Sequence, residues 1–158
     1  MTFSTFIEAM RFVRRHSGGL CVYVEAVAPG EMGGLVANAF YRVRHGKIED
    51  PTIQIDDVAF PSMSRTRRKA VLLHELGHYM GDTPVTRKGS EREAKSQLWA
   101  IGVSKRKGMH GIRRRLMKDV EDWESMTWNE EGGSCRKYIK AAWIVRAVEA
   151  APSRVRAS

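Results

Sequence analysis

His74, Glu75 and His78 form an HExxH pattern, and no other group in this 158-residue chain has types and spacing that imply chemistry so directly. Residues four apart on a helix stand one turn above each other on the same face, so His74 and His78 can each aim a ring nitrogen at one ion. Zinc takes such nitrogens at about 2.0–2.1 Å. Glu75, one position on from the first histidine, does not coordinate but can reach a water at the metal's open position as general base. Zinc lowers the pKa of such a water towards about 7, and its attack would fall on a carbonyl carbon. The pattern therefore predicts Zn2+ as cofactor, Glu75 as catalytic residue and His74 and His78 as metal ligands.

A third protein ligand is needed, and its identity decides the subclass. The extended HExxHxxGxxH pattern is nearly met by Gly81, but Pro84 occupies the position of its third histidine. Asp82 and His110 are further options, His110 reading more readily as a solvated residue of a basic loop. Two glutamates downstream are better placed, Glu91 and Glu93, and about 200° of helix separates them, so only one can face the metal. Glu91 falls on the apolar stripe of Ala94, Leu98 and Ile101. Glu93 has the spacing to close a capping box on Ser90. Glu91 is therefore expected as the third ligand, with Glu93 as second choice.

The run Ala70-Val71-Leu72-Leu73-His74-Glu75-Leu76-Gly77-His78-Tyr79, preceded by Thr52–Asp56 and the basic Arg65-Thr66-Arg67-Arg68, and followed by Glu91-Arg92-Glu93-Ala94, resembles ImmA/IrrE-type metallopeptidases. The resemblance covers roughly residues 50–100. It implies a gluzincin-like, cytoplasmic enzyme of a phage or mobile-element setting, whose peptide or protein substrate would be a helix-turn-helix repressor. It also maps the third ligand onto Glu91. Lys95 stands where that family has Asn or Asp, so the polar group expected to support the zinc ligands is absent at that position.

The elements that must hold these residues follow from periodicity. Residues 3–15 read as an amphipathic helix with apolar Phe3, Phe6, Ile7, Met10 and Val13. Leu20–Ala28, Leu35–Arg44 and the alternation Ile53-Gln54-Ile55-Asp56 read as strands, with a turn at His45-Gly46-Lys47. Arg67–Met80 reads as the helix carrying HExxH, stopped by Gly81 and followed by a loop to Gly89. Helices are expected after Ser90, through Ile112, Leu116, Val120 and Trp123, and from Tyr138 to Val148. The fold class is thus α+β, a small, mainly antiparallel sheet in the first third and helices beyond it. One domain is expected over residues 1–151, with a disordered tail over residues 152–158.

The net charge is +9, and it is unevenly placed: residues 64–118 carry 15 basic and 4 acidic side chains, whereas the flanking segments are each close to neutral. This places the excess around the HExxH segment, where it would draw in an acidic peptide, or nucleic acid nonspecifically. No aromatic interleaving or finger signature supports a sequence-specific nucleic-acid reader. A rival reading is a non-catalytic regulator that keeps the zinc fold and binds a repressor or DNA through Arg113, Arg114 and Arg115. Cys21 and Cys135 have no CxxC partner, which fits a reducing, cytoplasmic setting. Neither a signal peptide nor a membrane span is legible.

Overall fold

Ile53 and Ile55 alternate with Thr52 and Gln54, and the pattern becomes the buried centre of the molecule: both isoleucines are fully inaccessible to solvent. The computed structural model describes residues 1–45, 47–80, 89–126 and 133–151. The expected stop at Gly81, the turn residue Gly46, most of the loop before Gly89, with Asp82 and Pro84, and the tail over residues 152–158 lie outside the described residues.

Helix α1 (Phe3–His16) is followed by β1 (Tyr23–Val27), β2 (Ala37–Arg44) and β3 (Lys47–Asp56), then by a short α2 (Ala59–Ser62), α3 (Arg65–Met80), α4 (Gly89–Arg106), α5 (His110–Glu124) and α6 (Gly133–Ala150). The fold is α+β, with the three strands in the first third. Their order is β1-β3-β2. β3 pairs antiparallel with β2 along its length and parallel with β1 over Thr52–Asp56, so the sheet is mixed, and its longer pairing is antiparallel.

Pro51 lies inside β3, where it has no N–H to give the ladder. The strand accommodates it with a bulge: Thr52 pairs with Phe40 and Glu49 with Arg42, so Asp50 and Pro51 together face Tyr41, and Asp50 takes a positive φ of 49°. Two stretches that periodicity assigned to strands, Leu20–Val22 and Leu35–Val36, lie just before β1 and β2. The four-residue α2, which has no apolar period of its own, was also not legible. Buried Asp56 organises its start by accepting hydrogen bonds from the backbone N–H groups of Val58 and Ala59 at 2.9 and 2.6 Å.

α3 is the pivot of the assembly. One side meets the sheet, where the Tyr79 hydroxyl lies 2.7 Å from the Thr52 carbonyl and 3.1 Å from that of Phe40. α1 packs against the opposite side through Phe12, and Leu72 of α3 lies in that contact. Only part of the expected α1 stripe is used. Ala9, Phe12, Val13 and His16 are buried, while Phe3 is 80% exposed. α5 and α6 cover α4 through Ile112, Leu116, Val120, Ala141, Ala142 and Val145.

The α3–α4 crossing is unusually close because Gly77 allows it. A Cβ built at Gly77 would lie 2.5 Å from the Ser96 carbonyl oxygen and 2.8 Å from Ser96 Cα. Backbone therefore rests on backbone, and the Ser96 hydroxyl donates to the His74 carbonyl. Gly77→Ala should push the helices apart and destabilise the protein by about 1–3 kcal/mol, as overpacking does; urea denaturation monitored by circular dichroism would reveal it, and unchanged stability would contradict the crossing.

His16 ends α1 in a buried position, its Nδ1 without a hydrogen-bond partner. Burial lowers its pKa, and the charges of Lys107, Arg15 and Lys69 add to the effect. Below the unfolded value near 6.5 the unfolded chain then binds more protons than the folded one. The neutral-His16 stability is accordingly complete above that pH and falls as pH drops through it. Replacing His16 with Phe should flatten the stability profile between pH 7 and pH 5, measured by thermal unfolding.

Candidate metal centre

His74 and His78 lie one turn apart on α3, as the spacing demands, and their rings meet edge to face at 5.1 Å between centroids. The carboxylate that joins them comes from α4. Glu93 Oε2 is 3.1 Å from His74 Nε2 and 3.7 Å from His78 Nε2. For bonds of about 2.0–2.1 Å in a tetrahedral arrangement, ligand atoms stand about 3.3 Å apart, so these separations suit one zinc ion between them. His74, His78 and Glu93 are the one trio of His, Cys, Asp or Glu among the described residues whose ligand atoms all lie within 4.8 Å of each other.

This group differs from the expected one in its third member. Glu91 is not part of the group; Glu93, the second choice, is. The reason lies in the face that α4 turns to α3. Its buried residues are Glu93, Ala94, Ser96, Gln97, Ala100, Ile101, Val103 and Ser104, so the stripe against α3 is built from small and polar side chains. Leu98, on which the Glu91 assignment leaned, is only half-buried. Ser90 is the second residue of the helix and not its N-cap, which frees Glu93 from the capping task. Its carboxylate instead reaches the two histidines with one oxygen and Lys137 Nζ, at 2.7 Å, with the other. His110 is the exposed first residue of α5 and takes no part.

His74 is oriented from behind. His74 Nδ1 lies 2.7 Å from Gln97 Oε1, and Gln97 Nε2 donates to the Leu116 carbonyl at 2.7 Å. With its amide nitrogen committed to α5, Gln97 presents oxygen to His74. Nδ1 must then carry the hydrogen, which leaves Nε2 to face Glu93 and a metal. Gln97 thus supplies the polar support expected, and not found, at position 95. It was missed because it is an isolated glutamine, one turn beyond Glu93, with nothing in the sequence to mark it as buried.

The ionisable groups at this point are strongly coupled. Burial opposes a charge on His74, but the Glu93 hydrogen bond and the Glu75 carboxylate outweigh it and push the ring up to about 9. Burial pushes His78 down, and the His74 charge adds to that. Glu93 is held low: burial alone would raise it, and the hydrogen bonds from His74 and Lys137 overcome this. Glu75 is raised, chiefly by burial, against the His74 charge and a hydrogen bond from the Ala39 backbone N–H. Two imidazoles and the Glu93 carboxylate fit a divalent cation as a donor set, with the Glu75 carboxyl beside them.

The trio opens on a cleft of about 490 Å³ bounded by Gly34–Asn38, the Arg67–His78 side of α3, Trp123 of α5, and Lys137 and Tyr138 of α6. Trp123 stacks near both His74 and Tyr138, with centroids at 5.7 and 5.2 Å. Tyr79, although adjacent to His78, points to the sheet carbonyls instead of the cleft.

Part of the surrounding positive charge is paired within the fold. Arg115 is paired with Asp119 and Asp122, Lys118 with Glu121 and Asp122, and Arg113 with Glu149. Acidic residues of α5 and α6 thus pair with these three of the 15 basic residues of the segment. Arg65 and Lys69 point to Glu8 on α1, across α3 from the cleft. No helix among the described residues is long and apolar enough to cross a membrane. Comparison with known protein families, characterised proteins and solved structures found no match.

Zinc titrations of single variants would check the site. Glu93→Ala should lose stoichiometric binding, Glu91→Ala should keep it, and Gln97→Ala should weaken it about 10–100-fold. The reverse order of the two glutamates would restore Glu91 as ligand.

Proposed function

We propose that this chain is a zinc-dependent endopeptidase, with His74, His78 and Glu93 holding the metal and Glu75 acting as general base. The observation that carries the reading is the convergence of those three ligand atoms beside a second carboxylate, Glu75, in an open cleft. Bound zinc would act as a Lewis acid on the scissile carbonyl and would make water a competent nucleophile near neutral pH.

The chain's own residues supply the rest. Glu75 is buried and its pKa is raised, so it accepts a proton more readily than a solvated glutamate would. The Ala39 N–H fixes one side of its carboxylate. Gln97 and Lys137 hold His74 and Glu93 in place. β2 sits at the edge of the sheet beside Glu75, and Gly34–Asn38 form one wall of the cleft. An extended peptide can therefore lie along that edge as an added strand, its backbone held by hydrogen bonds and its central carbonyl near the zinc position. Trp123 and Tyr138 close the other wall and limit access of bulk water.

The resemblance of the HELGHY segment extends the proposal to a helix-turn-helix repressor as substrate, in a cytoplasmic, phage-related setting. The rival, a non-catalytic regulator acting through Arg113–Arg115, is less well supported, because Arg113 and Arg115 are engaged by acidic side chains of their own fold. General bases contribute about 10²–10⁴-fold to such reactions. Glu75→Gln should keep full zinc content and lose hydrolysis of an unstructured protein substrate by that order; retained hydrolysis would refute the role, and retained biological activity without hydrolysis would favour the regulator.

A further inference from the structure

The basic run before the HExxH residues divides between two sides of α3. Arg65, Arg68 and Lys69 all approach Glu8 on α1, and Arg68 also donates to the Pro61 and Met63 carbonyls. Arg67 does not join them. It lies about 200° around the helix from both Arg65 and Lys69, on the face shared by Val71, His74 and His78, and it lines the cleft. It is exposed, and no carboxylate among the described residues pairs with it.

The acidic groups that line the same cleft are already engaged. Glu93 is held by Lys137 and the histidines, Asp119 by Arg115, and Glu75 accepts from the Ala39 N–H. The second cation of the cleft, Lys137, is bound to Glu93. Arg67 therefore presents a guanidinium whose charge the protein itself does not answer, in a wall where Met63 and Val71 flank it with apolar surface. A guanidinium in such a setting favours a carboxylate, which it can hold through two parallel hydrogen bonds.

We infer that Arg67 is a specificity subsite for a carboxylate of the bound peptide. The inference rests on the cleft being a peptide site. Seven residues of helix separate Arg67 from His74, about 10 Å along the axis, and an extended peptide covers that distance in about three residues. The carboxylate belongs either to a Glu or Asp side chain about three positions from the scissile bond or to the peptide's free C-terminus at the same distance. Either source gives a substrate preference that the HExxH residues alone do not supply.

The test is binding, kept separate from turnover by using zinc-loaded Glu75→Gln protein. Fluorescence anisotropy would compare labelled eight-residue peptides with amidated C-termini carrying Glu or Gln three positions to either side of the centre, and a shorter Gln peptide ending there as free acid or amide. One carboxylate-bearing peptide should bind about five- to tenfold more tightly than its neutral counterpart in 0.15 M salt, as expected for one charge-assisted contact. The preference should shrink as salt rises and vanish in the additional Arg67→Gln variant. A Glu advantage identifies a side-chain carboxylate; an advantage confined to the free acid identifies the C-terminus. Equal affinities across every pair, no binding by any peptide, or a preference that survives Arg67→Gln would overturn the subsite. Hydrolysis of the amidated Gln peptides by the wild-type protein reads the peptidase proposal independently.

Discussion

The contact between the backbones of α3 and α4 at Gly77 and Ser96 sets the geometry of everything else. Helices usually keep axes about 8–10 Å apart according to the side chains between them. Here a residue without Cβ meets a serine, and the surfaces close until the serine hydroxyl donates to the His74 carbonyl. That closeness lets a glutamate side chain from α4 span to two histidines on α3. It also sets the register: Glu93 lies just before Ser96 and Gln97 just after, so one α4 residue meets His74 at Nε2 and another at Nδ1.

The cost of this arrangement is buried polarity, and the fold answers it group by group. Gln97 is satisfied at both ends, by His74 and by the Leu116 carbonyl. Glu93 is flanked by imidazole on one oxygen and ammonium on the other. Such a network specifies one arrangement strongly when every member is paired, because each unpaired member would bear a desolvation penalty. The raised His74 and the lowered Glu93 are two sides of one buried pair, each charge favouring the other.

The HExxH helix was fully legible in the sequence, because its chemistry depends on spacing along one element. The α+β class and the main strands and helices were legible for the same reason. Glu93 was harder, since choosing it over Glu91 requires knowing which face of α4 is buried, and that face carries Ser96, Gln97 and Ser104 where periodicity looks for leucine. The backbone contact with Gly77 makes small and polar residues the right occupants. Local charge pairing was not legible either: Arg113, Arg115 and Lys118 meet Glu149, Asp119, Glu121 and Asp122 only when α5 and α6 are folded, while the net charge of +9 remains.

The central claim is that two imidazoles and one carboxylate, and neither cysteine, hold zinc in this protein. X-ray absorption at the zinc edge of the purified protein tests it most directly. The account predicts one zinc per chain with nitrogen and oxygen neighbours at about 2.0–2.2 Å and the multiple-scattering signature of two histidine rings. Sulfur scattering near 2.3 Å, a single imidazole, or protein that takes up no zinc would contradict it.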